Sequence, residues 1–154
     1  MEAVVATVAD LYRAVHDDLR GAVRGLDEAA LYWKPAPDAN SIATLVVHTL
    51  GSEAEVLRTV RAVKGERDRD SEFRTEAETE SSLLRRLDDG DALLAELTAG
   101  ITSEDLAAVR HRGERLPQTG LYWLVSNYGH AREHLAHVEL TKQMYAMRQG
   151  ERES

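Results

Sequence analysis

Apolar positions recur along most of this chain at helical steps. In residues 2–24, Val4, Val8, Leu11, Val15, Leu19 and Val23 return every three or four residues, which places them on one face of an α-helix. Ile42, Leu45, Val46, Thr49, Leu50, Leu57 and Val60 predict a second helix over residues 41–64, with Asn40 or Ser41 as its N-terminal cap. A third helix follows from Leu83, Leu84, Leu87, Leu94 and Leu97, over residues 79–99. Gly90 lies inside it as a weak point or kink, and Gly100 is positioned to end it. The fourth helix is predicted over residues 119–148, about 45 Å at 1.5 Å per residue, with a frayed tail at 151–154.

The segments between these helices are polar and long. "GLDEAALYWKPAPDAN" is broken by two prolines and a glycine, with Trp33 placed to plug one end of a bundle. "GERDRDSEFRTEAETE" reads as a surface connection anchored by Phe73. "TSEDLAAVRHRGERLPQTG" links to the last helix, with a short helical turn starting at Thr102 or Ser103. Four amphipathic helices without a strand signal predict an all-α four-helix bundle, a single domain over residues 1–150. Linkers of this length permit crossovers.

Composition narrows the classes of function. The chain has 154 residues, 43% of them hydrophobic and 30% charged, which suits a folded domain. Its formal net charge is -8 and its arginines are scattered among acids, so nucleic acid is not an expected partner. There is no cysteine, which excludes disulfides, thiolate metal sites and a protein thiol nucleophile. The first residues lack the basic start and long apolar core of a signal peptide. No apolar run approaches the roughly 20 residues of a membrane span. A cytoplasmic protein without membrane contact is the expectation.

The six histidines are His16, His48, His111, His130, His134 and His137. Three fall in "NYGHAREHLAH" on the fourth helix. At about 100° per residue, His130, His134 and His137 form one narrow stripe beside Leu124, Tyr128, Ala131, Leu135 and Val138. Two histidines four apart stand about 6 Å apart along the axis, close enough for both imidazoles to reach one cation. A Zn-type catalytic site takes three protein ligands and leaves a position open. The third ligand must then come from another helix, and His48 is the best-placed donor, with Ser52 and Glu55 on its side of the helix as supporting groups. The competing reading makes these histidines amphipathic side chains at a helix rim. His137 is open between fourth ligand, supporting group and rim residue. His16 and His111 read as solvated. Tyr12, Trp33, Trp123 and Tyr128 are pocket candidates for which core packing is the competing role. No catalytic residue is legible.

Several segments resemble the DinB-like superfamily. "NSIATLVVHTLGSEAEV" is similar to its second-helix motif and "NYGHAREHLAHVELTKQMY" to its last helix. "YWKPAPDANSI" and "RDRDSEF" resemble the flanking loops of one branch. The resemblance implies a four-helix bundle with a long crossover and a metal, often zinc or nickel, held by His48, His130 and His134. It also implies a homodimer. Better understood members are thiol-dependent transferases or isomerases, whereas others are known as stress-induced proteins without an assigned reaction. The leading expectation is a metal-dependent thiol S-transferase that takes a low-molecular-weight thiol as cosubstrate and acts on an electrophile. The alternatives are a metal-dependent hydrolase and a stress-response metal-binding or interaction module without turnover.

Overall fold

The computed structural model describes residues 2–153. Four long helices carry the core: α1 (Ala3–Val23), α3 (Ile42–Arg61), α5 (Glu80–Ala99) and α7 (Gly120–Glu153). Short helices α2 (Glu28–Tyr32), α4 (Arg69–Glu72) and α6 (Ser103–Ala107) lie in the connections. The last connection also holds one small antiparallel pair, β1 (Val109–Arg110) with β2 (Gln118–Thr119). The fold is therefore the expected all-α bundle. The two-residue strands are too short to leave a periodic signal in the sequence.

The helix ends follow local chemistry. The Ser41 hydroxyl accepts from the Thr44 amide and caps α3. Thr79 and Ser82 form a reciprocal capping box at α5, which ends at Gly100. A second capping box, Thr102 with Asp105, starts α6. Helix α7 continues through residues 151–153, read from the sequence as frayed tail. One internal glycine, Gly150, costs only about 1 kcal/mol and no proline follows it. Ser154 lies outside the described residues.

Each of α1 and α3 packs against both α5 and α7. Helices α1 and α3 therefore face one another across a diagonal, as do α5 and α7. The connections 24–41 and 100–119 must cross the bundle between diagonal partners, which explains their length. Only the α3–α5 connection joins neighbours.

On α1 the buried face is Val5, Val8, Tyr12, Val15 and Leu19, while Val4 and Leu11 are 40% and 38% exposed. The predicted stripe was thus one position off at two places, because adjacent apolar residues fit the period equally well. Gly90 does not interrupt α5. It admits Leu50 and His16, since a methyl there would stand 2.9 Å from Leu50 Cδ2 and 3.4 Å from His16 Cε1.

His16 corrects the sequence reading. It is fully buried rather than solvated. Its Nδ1 lies 2.7 Å from Asp91 Oδ1 on α5 and its Nε2 lies 2.8 Å from Glu53 Oε2 on α3. Arg20 pairs with Asp91 and, at 3.0 Å, with Asp88. Ionised carboxylates only accept, so a protonated His16 donating from both nitrogens satisfies both neighbours. Burial pushes the His16 pKa down, but the hydrogen bonds and charges of Glu53 and Asp91 outweigh it and raise it above its ordinary value. This cluster ties three helices together at one depth of the core.

A raised His16 pKa means that the folded state holds this proton more tightly than the unfolded chain. Its stabilisation is complete below about pH 6.5 and is lost as pH rises through the folded value. Glu53, raised chiefly by burial, acts in the same direction. Asp91 is pushed up by burial but held lower overall by His16 and Arg20, so its contribution fades as pH falls through its folded value. His16→Gln should cost about 3–5 kcal/mol at pH 6, the range for breaking a buried pair. The gap in Tm between parent and variant should narrow as pH is raised from 6.5 to 9. Thermal melts across that range check this, and a constant gap would contradict it.

Candidate metal centre

Helices α3 and α7 lie side by side and bring three imidazoles to one point. His48 comes from α3, and His130 and His134 from successive turns of α7. His130 Nε2 is 3.3 Å from His48 Nε2 and 3.0 Å from His134 Nε2. One nitrogen from each ring lies within 4.8 Å of the others. Two nitrogens about 2.0–2.1 Å from a Zn-type ion at a tetrahedral angle stand roughly 3.3–3.4 Å apart. The donor set, all imidazole, suits a borderline divalent ion. These three residues could hold a metal ion.

The orientation of His48 is fixed from behind. Its Nδ1–H donates to Glu72 Oε1 at 3.0 Å. An ionised carboxylate cannot donate, so the proton sits on Nδ1 and the Nε2 lone pair faces the other two rings. Glu72 is buried and sits at the end of α4. Arg67 grips it with both ends of its fork, 3.0 Å from Nε to Oε2 and 2.8 Å from a terminal nitrogen to Oε1. Burial pushes the Glu72 carboxyl up, but hydrogen bonds from His48 and Arg67 outweigh it and hold it below the usual range. The Phe73 ring lies 4.8 Å from the His48 ring, which makes the expected anchor residue part of the site wall.

Gly51 makes the Glu72 contact possible. It stands one turn beyond His48, and a methyl at this position would overlap the Glu72 carboxylate. A glycine inside a helix that is not at its end often marks such a close approach.

Burial pushes His130 down to a pKa of about 4, helped by the charges of His134, His48, Arg112 and Arg115. Burial likewise brings His134 to about 4, with His48 and His137 adding to it. Both are therefore neutral at pH 7, the state in which an imidazole can ligate. Their Nδ1 atoms are buried without a hydrogen-bond partner, so His48 alone has its outer nitrogen fixed.

The remaining sequence candidates take other places. His137 is exposed and stands outside the group, with its ring 5.8 Å from that of His134. It lines a cavity of 280 Å³ with Leu45, Leu140, Thr141 and Met144. Ser52 and Glu55 do not touch the histidine ligand atoms. Ser52 donates to Asn127 at 2.7 Å and accepts from Arg112 at 2.9 Å, and Glu55 pairs with Arg112 and Arg67. Glu55 reaches His48 only through Arg67 and then Glu72, two partners further out than expected. Tyr12 donates to the Leu124 carbonyl at 3.2 Å, and Trp123 Nε1 to the Arg110 carbonyl at 3.2 Å. Tyr128 packs edge-on to Tyr12, and Trp33 packs on Tyr145 near the end of α7. His111 is exposed. Sequence reading missed Glu72, Arg67 and Gly51. The available signals were the mid-helix glycine one turn after His48 and the acid beside Phe73.

Gly51→Ala should lower Tm, because the carboxylate that it overlaps is buried and held by His48 and Arg67, and losing those partners costs more than the about 1 kcal/mol that alanine gains in a helix. It should also displace Glu72 and weaken metal affinity by roughly 10–100-fold, as loss of an outer partner typically does. Glu72→Ala should weaken it to a similar extent. Titration with Zn(II) against a chelating competitor measures both, and full affinity in Gly51→Ala would contradict the assigned role of Glu72.

Known proteins supply an independent comparison. No curated protein matches the chain. Among solved structures, a conserved protein from Enterococcus faecalis superposes with a TM-score of 0.76 at 16% identity, over 93% of this chain and 97% of that one. A DinB-like protein from Bacillus subtilis gives 0.69 at 18% identity, over 94% and 93%. A DinB-like protein from Bacillus cereus gives 0.73 at 12% identity, over 90% and 91%. At such identities the likeness speaks for the fold alone. The family model of the DinB superfamily matches residues 11–138, more than half of the chain, and the chain therefore belongs to the DinB superfamily.

Proposed function

We propose that His48, His130 and His134 hold one divalent ion, zinc or nickel, and that the protein is a thiol-dependent S-transferase. The observation that carries the metal reading is the convergence of three Nε2 atoms while the Glu72 carboxylate holds the His48 proton on the opposite nitrogen. Bound there, a divalent ion supplies Lewis acidity and lowers the pKa of a thiol or water that joins it. Three neutral imidazoles bring no charge of their own, so the full charge of the ion stays available for that purpose.

The chain has no cysteine, so a thiol used at this site must arrive as a small cosubstrate. The cavity beside His137 offers an apolar wall of Leu45, Leu140 and Met144 next to the site, suited to the non-polar part of an electrophile. His137, at the cavity edge, is placed to contact that substrate rather than the ion. The exposed Leu121, Tyr122 and Val125 on α7 suit the burial of this face in a homodimer. No described helix is long and apolar enough to cross a membrane.

Turnover tests the reading directly. Zn- or Ni-loaded protein should conjugate glutathione to a chloronitrobenzene electrophile, with a rate that depends on both thiol and metal. His48→Ala should lower that rate by about 100-fold or more, equivalent to several kcal/mol of transition-state stabilisation. Hydrolysis of an activated ester without added thiol would instead favour the hydrolase. Full metal occupancy with no turnover across a panel of thiols would favour a binding module.

A further inference from the structure

A pocket of 560 Å³ opens beside the histidines, lined by Glu55, Arg67, Arg69, Arg112, Glu114 and Arg115 with Gly113 between them. Four guanidinium groups and two carboxylates thus share one concavity in a chain whose formal net charge is -8. Grouping like charges is unfavourable unless something of opposite sign compensates them.

The internal acids compensate only part of this cluster. Arg67 and Arg112 both pair with Glu55, and Arg67 also grips Glu72. Arg69 and Arg115 have no ion pair among the described residues. Arg69 is held with its guanidinium carbon 4.9 Å from the centre of the Phe73 ring, a stacking that fixes the group while leaving its N–H edge free. The turn carrying Arg115 is closed by its own amide donating to the Arg112 carbonyl at 3.3 Å, with Gly113 at a φ of 57°. The Arg112 side chain is 8% exposed. Burial lowers its pKa, and although Glu55 opposes this, Arg115 and Arg67 press it lower.

The pocket lies behind His48, on the side of its Nδ1. Arg67 Nη2 stands 3.4 Å from His48 Nδ1, and the Phe73 ring that carries Arg69 also packs on the His48 ring.

We propose that this pocket binds the oxyanion group of a small molecule, a carboxylate, sulfonate or phosphate, with Arg69 and Arg115 as the groups that receive it. That the same molecule presents its reactive end to the histidines rests on the metal reading above. Planar guanidinium forks match two oxygens of such a group at once, and the four arginines exceed the acids Glu55, Glu72 and Glu114 around them by one, which favours an anion over a neutral group. Arg69 and Arg115 are then specificity-determining residues, selecting an anionic substrate from neutral ones of the same size.

Calorimetric titration of the Zn-loaded protein with succinate and with inorganic phosphate, at constant ionic strength, tests this. The parent, Arg69→Ala/Arg115→Ala and Arg69→Lys/Arg115→Lys are compared, with zinc content measured on each. Both arginines are exposed, so the fold should tolerate every variant. At least one probe should bind the parent. Its Kd should rise at least tenfold in the alanine pair and recover in part in the lysine pair, while zinc content stays constant. Equal affinity in parent and alanine pair, or no binding of either probe to zinc-replete parent, would overturn the pocket and leave the metal reading intact. Anion binding that is lost in the alanine pair, from protein that takes up no zinc, would support the pocket and overturn the metal reading.

Discussion

The structure depends on how α3 accommodates polar side chains in a buried position. Its inward face carries Thr44, His48, Thr49, Ser52 and Glu53 among apolar neighbours, all buried. A buried polar group without a partner costs about 1–3 kcal/mol, more if charged. Each therefore dictates what packs against it. Thr49 returns its hydroxyl to the Leu45 carbonyl at 2.7 Å. Glu53 requires His16 from α1, Ser52 requires Asn127 from α7, and His48 requires Glu72 from α4. Three neighbouring elements are thus fixed against one helix by directional bonds in addition to apolar packing.

The same constraint places the site. The Ser52–Asn127 bond, with Asn127 also donating to Tyr12 at 3.0 Å, sets the α3–α7 register a little over one turn from His48. Asn127 lies three residues before His130, so fixing one positions the other. A chain of contacts then runs from Ser52 through Arg112, Glu55, Arg67 and Glu72 to His48. It passes through two connections, 62–79 and 100–119, and fastens both against the bundle. It also explains how the segment carrying Phe73 and Arg69, although mostly exposed, comes to border the histidines.

Much of this was legible in the sequence. The helices followed from periodicity, and Ser41 and Gly100 marked the start of α3 and the end of α5 because capping chemistry is local. His130 and His134 were legible because helix geometry alone puts residues four apart on one face. The apposition of His48 is a tertiary fact, anticipated only through its position on its helix and the family resemblance. Glu72 and Arg67 were hidden because an ion pair across a loop has no period. His16 was misread although it sits on the same face as Tyr12 and Leu19 in α1. A charged residue within an apolar stripe implies a buried partner of opposite sign elsewhere, and Glu53, within the stripe of α3, was that partner.

The central claim is that three imidazoles converge to hold one ion. Elemental analysis of protein purified without an affinity tag, beside a His48→Ala/His134→Ala double variant, tests it most directly. The account predicts close to one equivalent of zinc, nickel or a related divalent ion in the parent and almost none in the variant. A parent free of metal, which neither takes up added zinc or nickel nor gains in Tm from either, would contradict it. The same would follow if the variant retained the full equivalent of the parent.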